Sequence, residues 1–501
     1  MPLRIWTLKK TMKSIRLQAS AFAAPRPRRV FSLAKARLRH QQGRRAFVFA
    51  IFCLLIPALA HAKNYYLSPT GIDSNSGQTS GSAWLSPNHA LNCGDVIVAT
   101  ASSNYSSANF SAGKWGTVSC PAAHGVAWLR CATFDACKIH ASTNPGMWVD
   151  KSYWGVQGWE VTTTAADAYG PCFIAQPNYA VPNSIHHIIF ANDIANGCSQ
   201  GGFVMVNRGH AGVDYFVVVG SIAYNAAQGT GTCASGIAVY QPIQSDTSPG
   251  THIYIAGNFS YSNVEPSKCA GRSPTAGEGI IFDSFDGSQG GLSPYWSQAA
   301  AANNIVVNNG AKGIEINGNS VGSYHSTIWL NHNTSWGNLT DPNQSWFGCS
   351  EISLSKASNT RLNGNLVSTK RATGCGGHPI YALGIAGGDG TDSAVHNFAY
   401  GYDGNSVFLY NSPSFSWGPT NQFGVSPNFT RPSAPAAPRC GGTSNVPSCM
   451  APVIAAFVPK TASAAGLGYQ KPSSAPVKDE LFPRWLCTAG LPAGLVTMGC
   501  N

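Results

Sequence analysis

Acidic residues are scarce in this chain: 21 Asp and Glu among 501, and none before Ala46. The 32 Lys and Arg look like the signature of a basic protein, but 13 of them lie in that same leading stretch. Removing those thirteen leaves 19 basic against 21 acidic residues, a net charge of −2. A nucleic-acid partner is therefore not expected. Also absent are a Cys-x-x-Cys pair and any Cys/His array with zinc spacing. The longest apolar run, AFVFAIFCLLIPALAHA, is too short to span a bilayer comfortably. It follows a basic leader and ends in Ala60-His61-Ala62, as an export signal does, so cleavage after Ala62 and a secreted or periplasmic protein with no stable membrane anchor are expected. GRRAFVF at Gly43 resembles a twin-arginine signal, with ordinary secretion the alternative. Of 15 cysteines, Cys53 leaves with the signal, and the 14 that remain suit disulfides in an oxidising compartment. Cys131 and Cys137 read as a stapled loop.

Repetition is what the chain has in quantity. A run of β-branched or aromatic residues, a small polar residue, one apolar residue and more Asn recurs between His186 and Ser368. Its markers are Asp193, Ser221, Asn258, Asn304, Asn333 and Asn365, at steps of 28, 37, 46, 29 and 32. Between markers lies a second phrase, Gly followed by alternating apolar residues: GFVMV at Gly202, GIAVY at Gly236, GIIFD at Gly279 and GIEIN at Gly313, with EISLS at Glu351 keeping the rhythm without Gly. Such a period with two or three short strands per unit marks a β-solenoid, whose coils bury their inner faces by stacking. A Greek-key sandwich also has many short strands, but it does not repeat its turn residues in register. Asn suits the corners, because it tolerates the left-handed conformation and its amide can bond to the same side chain one coil on.

Tyr65, Ser68, Pro69, Gly71 and Asp73, then Trp84, then Gly94-Asp95 and Val98 form a pattern that resembles the opening of secreted right-handed parallel β-helix proteins of the pectate lyase-like superfamily. The resemblance covers about Asn64 to Asn428 and implies a fold rather than a chemistry. The expected architecture is all-β, a single-stranded right-handed parallel β-helix with an irregular C-terminal cap. Its expected parts are a leader and signal over 1–62, the helix over 63–428, and a Pro/Ser-rich, Cys-containing extension over 429–501. Within the extension, APVIAAFVPKTASAAGLGYQ resembles a last, degenerate coil, and DELFPRWLCTAG is expected to close the open end of the core.

Register picks out candidate chemistry. Aligning Ile280, Ile314 and Ile352 inward, with Phe282, Ile316 and Leu354, sends Gly279, Ile281 and Asp283 outward, above Gly313, Glu315 and Asn317, above Glu351, Ser353 and Ser355. Asp283, Glu315 and Glu351 then form a diagonal across three coils, with Asp286, Glu278, Lys312 and Lys356 close by in sequence. Insertions at Pro266–Glu278 and Ser284–Ala299 are expected to flank it. Expected roles are catalysis by Glu315, Glu351, Lys312 and Lys356, substrate contact by Tyr295, Trp296 and Arg361, and a Ca²⁺ ion held by Asp283, Asp286 and Glu278. Trp336 and Trp346 are further stacking candidates, and His325 and His332 weaker acid/base ones. His186 and His187 read as surface or corner residues rather than ligands. The resemblance implies a polysaccharide partner and a monomeric lyase cleaving a uronate polymer by β-elimination. The alternatives are a glycoside hydrolase or a non-catalytic carbohydrate-binding protein. The lyase pattern itself is incomplete, since its strand Lys is replaced by Glu315, and the galacturonan hydrolase pattern, which combines paired Asp with His-Gly and Arg-x-Lys motifs, is not found.

Overall fold

In a computed structural model the chain is described over 62–495, apart from 121–124, 143–144, 165–169, 181–182, 208, 210, 230–232, 266–275, 289–290, 320–325, 342–343, 345–348, 371–374, 376–377, 389, 412–414 and 472–480. The export signal, His325, Trp346 and most of the Pro266–Glu278 insertion thus lie outside the described residues. Three long sheets of twelve, eleven and nine strands run the length of the molecule, and every strand pair in them is parallel. From Ala127–Cys131 onward each coil visits the twelve-, eleven- and nine-stranded sheets in turn, as Thr251–Ala256, Phe259–Tyr261 and Ile280–Asp283 do before Gln298–Ala302 begins the next. This is the right-handed parallel β-helix. The expected columns are present: Ile280 pairs with Ile314 and Ile314 with Ile352, Phe282 with Ile316 and Ile316 with Leu354, all buried.

The corner phrase divides its labour between two residues. The left-handed backbone falls on the residue before each marker, among them Asn192, Gly220, Gly257, Asn303, His332 and Gly364. The marker itself is buried and serves as a rung: Asn258 Nδ2 donates to Asn304 Oδ1 (3.1 Å), Asn304 to Asn333 (2.9 Å), Asn333 to Asn365 (3.0 Å), and the column continues to Asn397 and Asn421. A second ladder runs through Asn263, Asn309 and Asn338. It explains the recurrent Gly, because a Cβ on Gly313 would lie 2.1 Å from Ser335 Oγ and 2.6 Å from Asn338 Nδ2.

That crowding corrects the outward assignment of the first residue of each phrase. At the corner the strict alternation fails, so positions 279, 313 and 351 turn toward the ladder and not toward solvent. Disulfides join Cys93–Cys120, Cys131–Cys137, Cys172–Cys198, Cys349–Cys375 and Cys440–Cys449. No helix among the described residues is long and apolar enough to cross a membrane.

Among the described residues the extension packs along the sides of the solenoid and not over its last coil. Phe429, Met450 and Phe457 pack with Phe259, Ile305 and Leu366 on the outer side of the eleven-stranded sheet, and Phe482, Leu486 and Leu495 with Ile189, Val217 and Tyr254 on that of the twelve-stranded sheet. Trp128 Nε1 donates to Ala489 O (2.6 Å), and Asn303 exchanges two bonds with Gln470. Nor is APVIAA a coil: it is an α-helix, Ala451–Ala456, with Pro in its first turn. The last coil leaves Leu409 50% and Phe423 40% exposed.

Candidate functional site

The nine-stranded sheet is the one whose outer side contributes nothing to the apolar clusters that the extension joins. Two outward columns cross it, Ala238, Ile281, Glu315, Ser353 and Gly384, and beside them Tyr240, Asp283, Asn317, Ser355 and Ala386. Just before these strands, Ser235, Glu278 and Lys312 occupy matching places in three coils, linked by Gly236 N donating to Glu278 O and Gly279 N to Lys312 O. The break in alternation at the following Gly brings this third row to the same side as Glu315.

Charge gathers where the rows meet. Lys312 Nζ lies 3.3 Å from Glu315 Oε2 and 4.0 Å from Glu278 Oε1, and Ser235 Oγ donates to Glu278 Oε2 (2.6 Å). All three charged side chains are nearly buried. Burial works to lower the Lys312 pKa, but the charges of Glu315 and Glu278 outweigh it and raise it. Burial, and then the charge of Glu315, pushes the Glu278 carboxyl up. Asp283, only partly buried, accepts from Ser284 Oγ (2.9 Å) and Asn317 Nδ2 (3.0 Å). Burial, with Glu315 and Asp286 behind it, pushes its pKa up to about 6.

Other expected site residues lie elsewhere. Glu351 is fully buried: it accepts from Asn338 N (3.0 Å), Asn338 Nδ2 (2.5 Å) and Ser335 Oγ (3.0 Å), and so ends the second Asn ladder. Two residues beyond Ser368, the partner of Trp336, Lys370 stands where the next Asn would fall, which is why a carboxylate takes over that rung. Burial pushes Glu351 up to about 7. Lys356 is exposed in a left-handed corner beyond Ser355 and has no ion pair among the described residues. Arg361 belongs to the twelve-stranded sheet, paired beside Trp329, and bonds to Thr391 O, Ser393 Oγ and Asn359 Oδ1. Trp336 packs on Phe457 of the extension, and His332 is a left-handed corner residue.

Tyr295 is no stacking platform, being 2% exposed with its hydroxyl donating to Asp214 (2.7 Å), whereas Trp296 is 57% exposed. The proposed calcium ligands do not converge. Glu278 turns to Ser235 and Lys312, Asp283 to Asn317, and Asp286 accepts from Ser288 N. No three such groups among the described residues share a point where an ion could sit, so the trio does not fit a calcium cage.

Sequence reading missed a second polar cluster. Asp214, without exposure, accepts from Ser245 N (2.8 Å) and Oγ (2.9 Å), Tyr215 N (2.9 Å), Tyr295 Oη (2.7 Å) and His252 Nδ1 (3.1 Å). Burial alone would raise its pKa, but His252 and the other donors hold it below the usual range. Above it, Tyr153, His187, Tyr215 and His252 stack ring on ring at centroid distances of 5.0, 4.2 and 3.8 Å. The first three have φ of 67°, 60° and 48°, a left-handed conformation costly for bulky side chains. The signal was available: HHIIF, DYFVV and HIYI start matching strands, and the register applied to the nine-stranded sheet would have stacked them too.

No family model and no curated protein matches the chain. Solved structures similar to it include the A-module of Azotobacter vinelandii mannuronan C-5 epimerase AlgE4 (12% identity, 68% of this chain and 91% of that one, TM-score 0.30). Others are a GH136 lacto-N-biosidase from Eubacterium ramulus (13%, 73% and 68%, TM-score 0.41) and pectate lyase Pel9A (15%, 74% and 82%, TM-score 0.33). The sheet topology by itself makes this chain a parallel β-helix. Likeness at this level extends to the fold alone, and none of these activities passes to this chain through it.

Proposed function

We propose that the protein is an exported, carbohydrate-active enzyme that cleaves a polysaccharide on the outer side of the nine-stranded sheet, with Asp283 as its proton-transferring group. One observation carries the reading: a partly exposed carboxyl raised to about 6 stands beside a buried Glu278–Lys312–Glu315 row, on the sheet side the extension leaves free. Ser353, Gly384, Ser355 and Ala386 continue the same columns with small side chains, a floor on which a chain of sugars can lie. The disulfides suit the oxidising compartment that export implies.

Charge balance favours glycoside hydrolysis. Lys312 is committed to Glu315 and Glu278, so among the described residues a uronate carboxylate brought here meets acidic groups without a free cation beside them. In this chemistry Asp283, protonated, donates to the leaving oxygen as the glycosidic bond breaks, water supplies the hydroxyl that replaces it, and Glu315 is the second carboxyl. β-Elimination from a uronate polymer is the second reading, favoured by the same group: ionised, Asp283 can take the proton next to the uronate carboxyl while the C–O bond to the leaving sugar breaks, a double bond forms and the leaving oxygen takes a proton from solvent. Chelation tests the calcium expectation directly.

The experiment is to incubate the mature protein with neutral and uronate polysaccharides, with and without EDTA, following reducing ends and unsaturated-uronate absorbance. Reducing ends without unsaturated products support hydrolysis, and unsaturated products support elimination. Cleavage of no polysaccharide would leave the non-catalytic carbohydrate-binding alternative.

A further inference from the structure

Two loops leave the nine-stranded sheet for the twelve-stranded one in neighbouring coils: 241–250 after Tyr240, and 284–297 after Asp283. Both are tied to one buried carboxylate, since Asp214 accepts from Ser245 of the first and from Tyr295 of the second. A direct bond joins them as well, from Trp296 N to Gln244 Oε1 (3.3 Å). Tyr295 and Ser297 are 2% and 7% exposed, yet Trp296 between them is 57% exposed. The backbone is thus pinned on both sides of a large aromatic side chain that is itself more than half exposed, an arrangement that core packing does not require.

The loop that accepts from Trp296 N carries polar groups of fixed orientation. Gln244 Nε2 donates to Asp246 O (2.6 Å), and Tyr215 Oη donates to both carboxylate oxygens of Asp246 (3.0 and 3.1 Å). Asp246 is solvent-exposed, and while burial works the other way, bonds from Ser248 and Tyr215 hold its carboxyl below its ordinary range. An exposed indole and, on the loop bonded to its backbone, an ionised bidentate acceptor are the groups a pyranose ring calls for, since its C–H face stacks on indole while adjacent hydroxyls donate to a carboxylate. The acidic character of the patch disfavours a uronate in that place.

We propose that Trp296, Gln244, Asp246 and the Tyr215 hydroxyl form a pre-organised subsite for a neutral sugar residue of a polysaccharide, with buried Asp214 as the pin that fixes both loops. The subsite deepens the reading of the protein as carbohydrate-active, because Asp283 begins the loop that carries Trp296, but sugar binding here does not depend on cleavage.

The test is affinity electrophoresis of the full mature chain in gels containing a soluble neutral glycan (galactomannan, xyloglucan or laminarin) or an anionic one (polygalacturonate or alginate). At least one neutral glycan should retard the protein. Trp296→Ala should weaken that affinity about tenfold, Trp296→Phe should keep most of it, and Asp246→Asn should weaken it severalfold. Unchanged melting temperatures verify folding, since both side chains are exposed. Asp283→Asn should bind as the parent does, so loss of cleavage with retained binding separates the catalytic reading from this one. Retardation by no neutral glycan, preference for the polyuronates, or a Trp296→Ala affinity within about twofold of the parent would each overturn the subsite.

Discussion

The outer sides of the twelve- and eleven-stranded sheets and the outer side of the nine-stranded sheet are built by the same repeat, yet they meet different surroundings. On the first two the outward columns are apolar, Ile189, Val217 and Tyr254 on one and Ile222, Phe259, Ile305 and Leu366 on the other, and the chain folds its own extension over them. On the third the columns carry Glu315, Asp283, Asn317, Ser353 and Ser355. The inward residues specify the solenoid on all three sides, whereas the outward residues decide what lies against each. Apolar columns draw in the extension at roughly 25 cal/mol per Å² of buried apolar surface. The polar columns give it no such return, and no described residue of the extension joins an apolar cluster on that side.

The sharpest way to break this contrast is to alter one atom on the polar side. Asp283→Asn keeps the shape and removes the titrating proton, so it should lower turnover by about 10²- to 10⁴-fold while the melting temperature hardly moves. The pH profile then separates the two chemistries. An acid must be protonated, so hydrolytic activity should fall as pH rises through about 6; a base must be ionised, so elimination should instead rise through about 6. Either limb should vanish in the variant, and a limb that persists would assign the titration to another group.

On the covered sides the same kind of truncation should act on stability alone. Leu486 is fully buried between the extension and the twelve-stranded sheet, and Leu486→Ala should cost about 2–5 kcal/mol in chemical denaturation, with activity per folded molecule unchanged. A loss below about 0.5 kcal/mol would mean that the extension is not held by this contact.

Much of this fold was legible in the sequence, because inward residues obey a period of two within strands and a stacking period between coils. The columns through Ile280 and Phe282 follow from that alone. The site was less legible, and its errors share one physical origin. A strict alternation cannot represent a corner, where the chain turns and consecutive residues can face the same way. The rule therefore placed Glu351 outside when the ladder draws it in, and left Glu278 and Lys312 as mere sequence neighbours of a row they help to form. The cluster around Asp214 is harder still to read, since a left-handed Tyr153, His187 or Tyr215 violates the local preference on which such predictions rest. Lateral packing of the extension also escaped, because an apolar outward column looks the same in sequence whether an end or a side is to be covered.

Glu351 offers a subtler test, being an acidic residue of the same sheet that belongs to the covered interior. Glu351→Ala removes the acceptor for Asn338 N and should cost about 1–3 kcal/mol without changing the activity of folded protein. The pH dependence has a defined sign. Burial raises its folded pKa to about 7, above the value in the unfolded chain, so the folded state binds the extra proton. The associated stability is fully present below about pH 4 and is lost as pH rises through about 7. In denaturation curves collected across that window, the variant should show a shallower decline than the parent. An equal slope would place the titration on other carboxyls, Glu278 among them.

The smallest effect marks where the polar side ends. Lys356 follows Ser355 in the column that contains Asp283 and Asn317, but it stands exposed in a corner, one step past the strand. Lys312, by contrast, is nearly buried between two carboxylates. If the working charge is confined to the Glu278–Lys312–Glu315 row, Lys356→Ala should change turnover by less than about twofold and stability by no more than about 0.5 kcal/mol. A loss of turnover above about tenfold, with the melting temperature unchanged, would extend the site across Ser355 to the next coil. It would also supply the free cation whose lack near Lys312 counts against a uronate substrate, and so turn the balance from hydrolysis toward elimination.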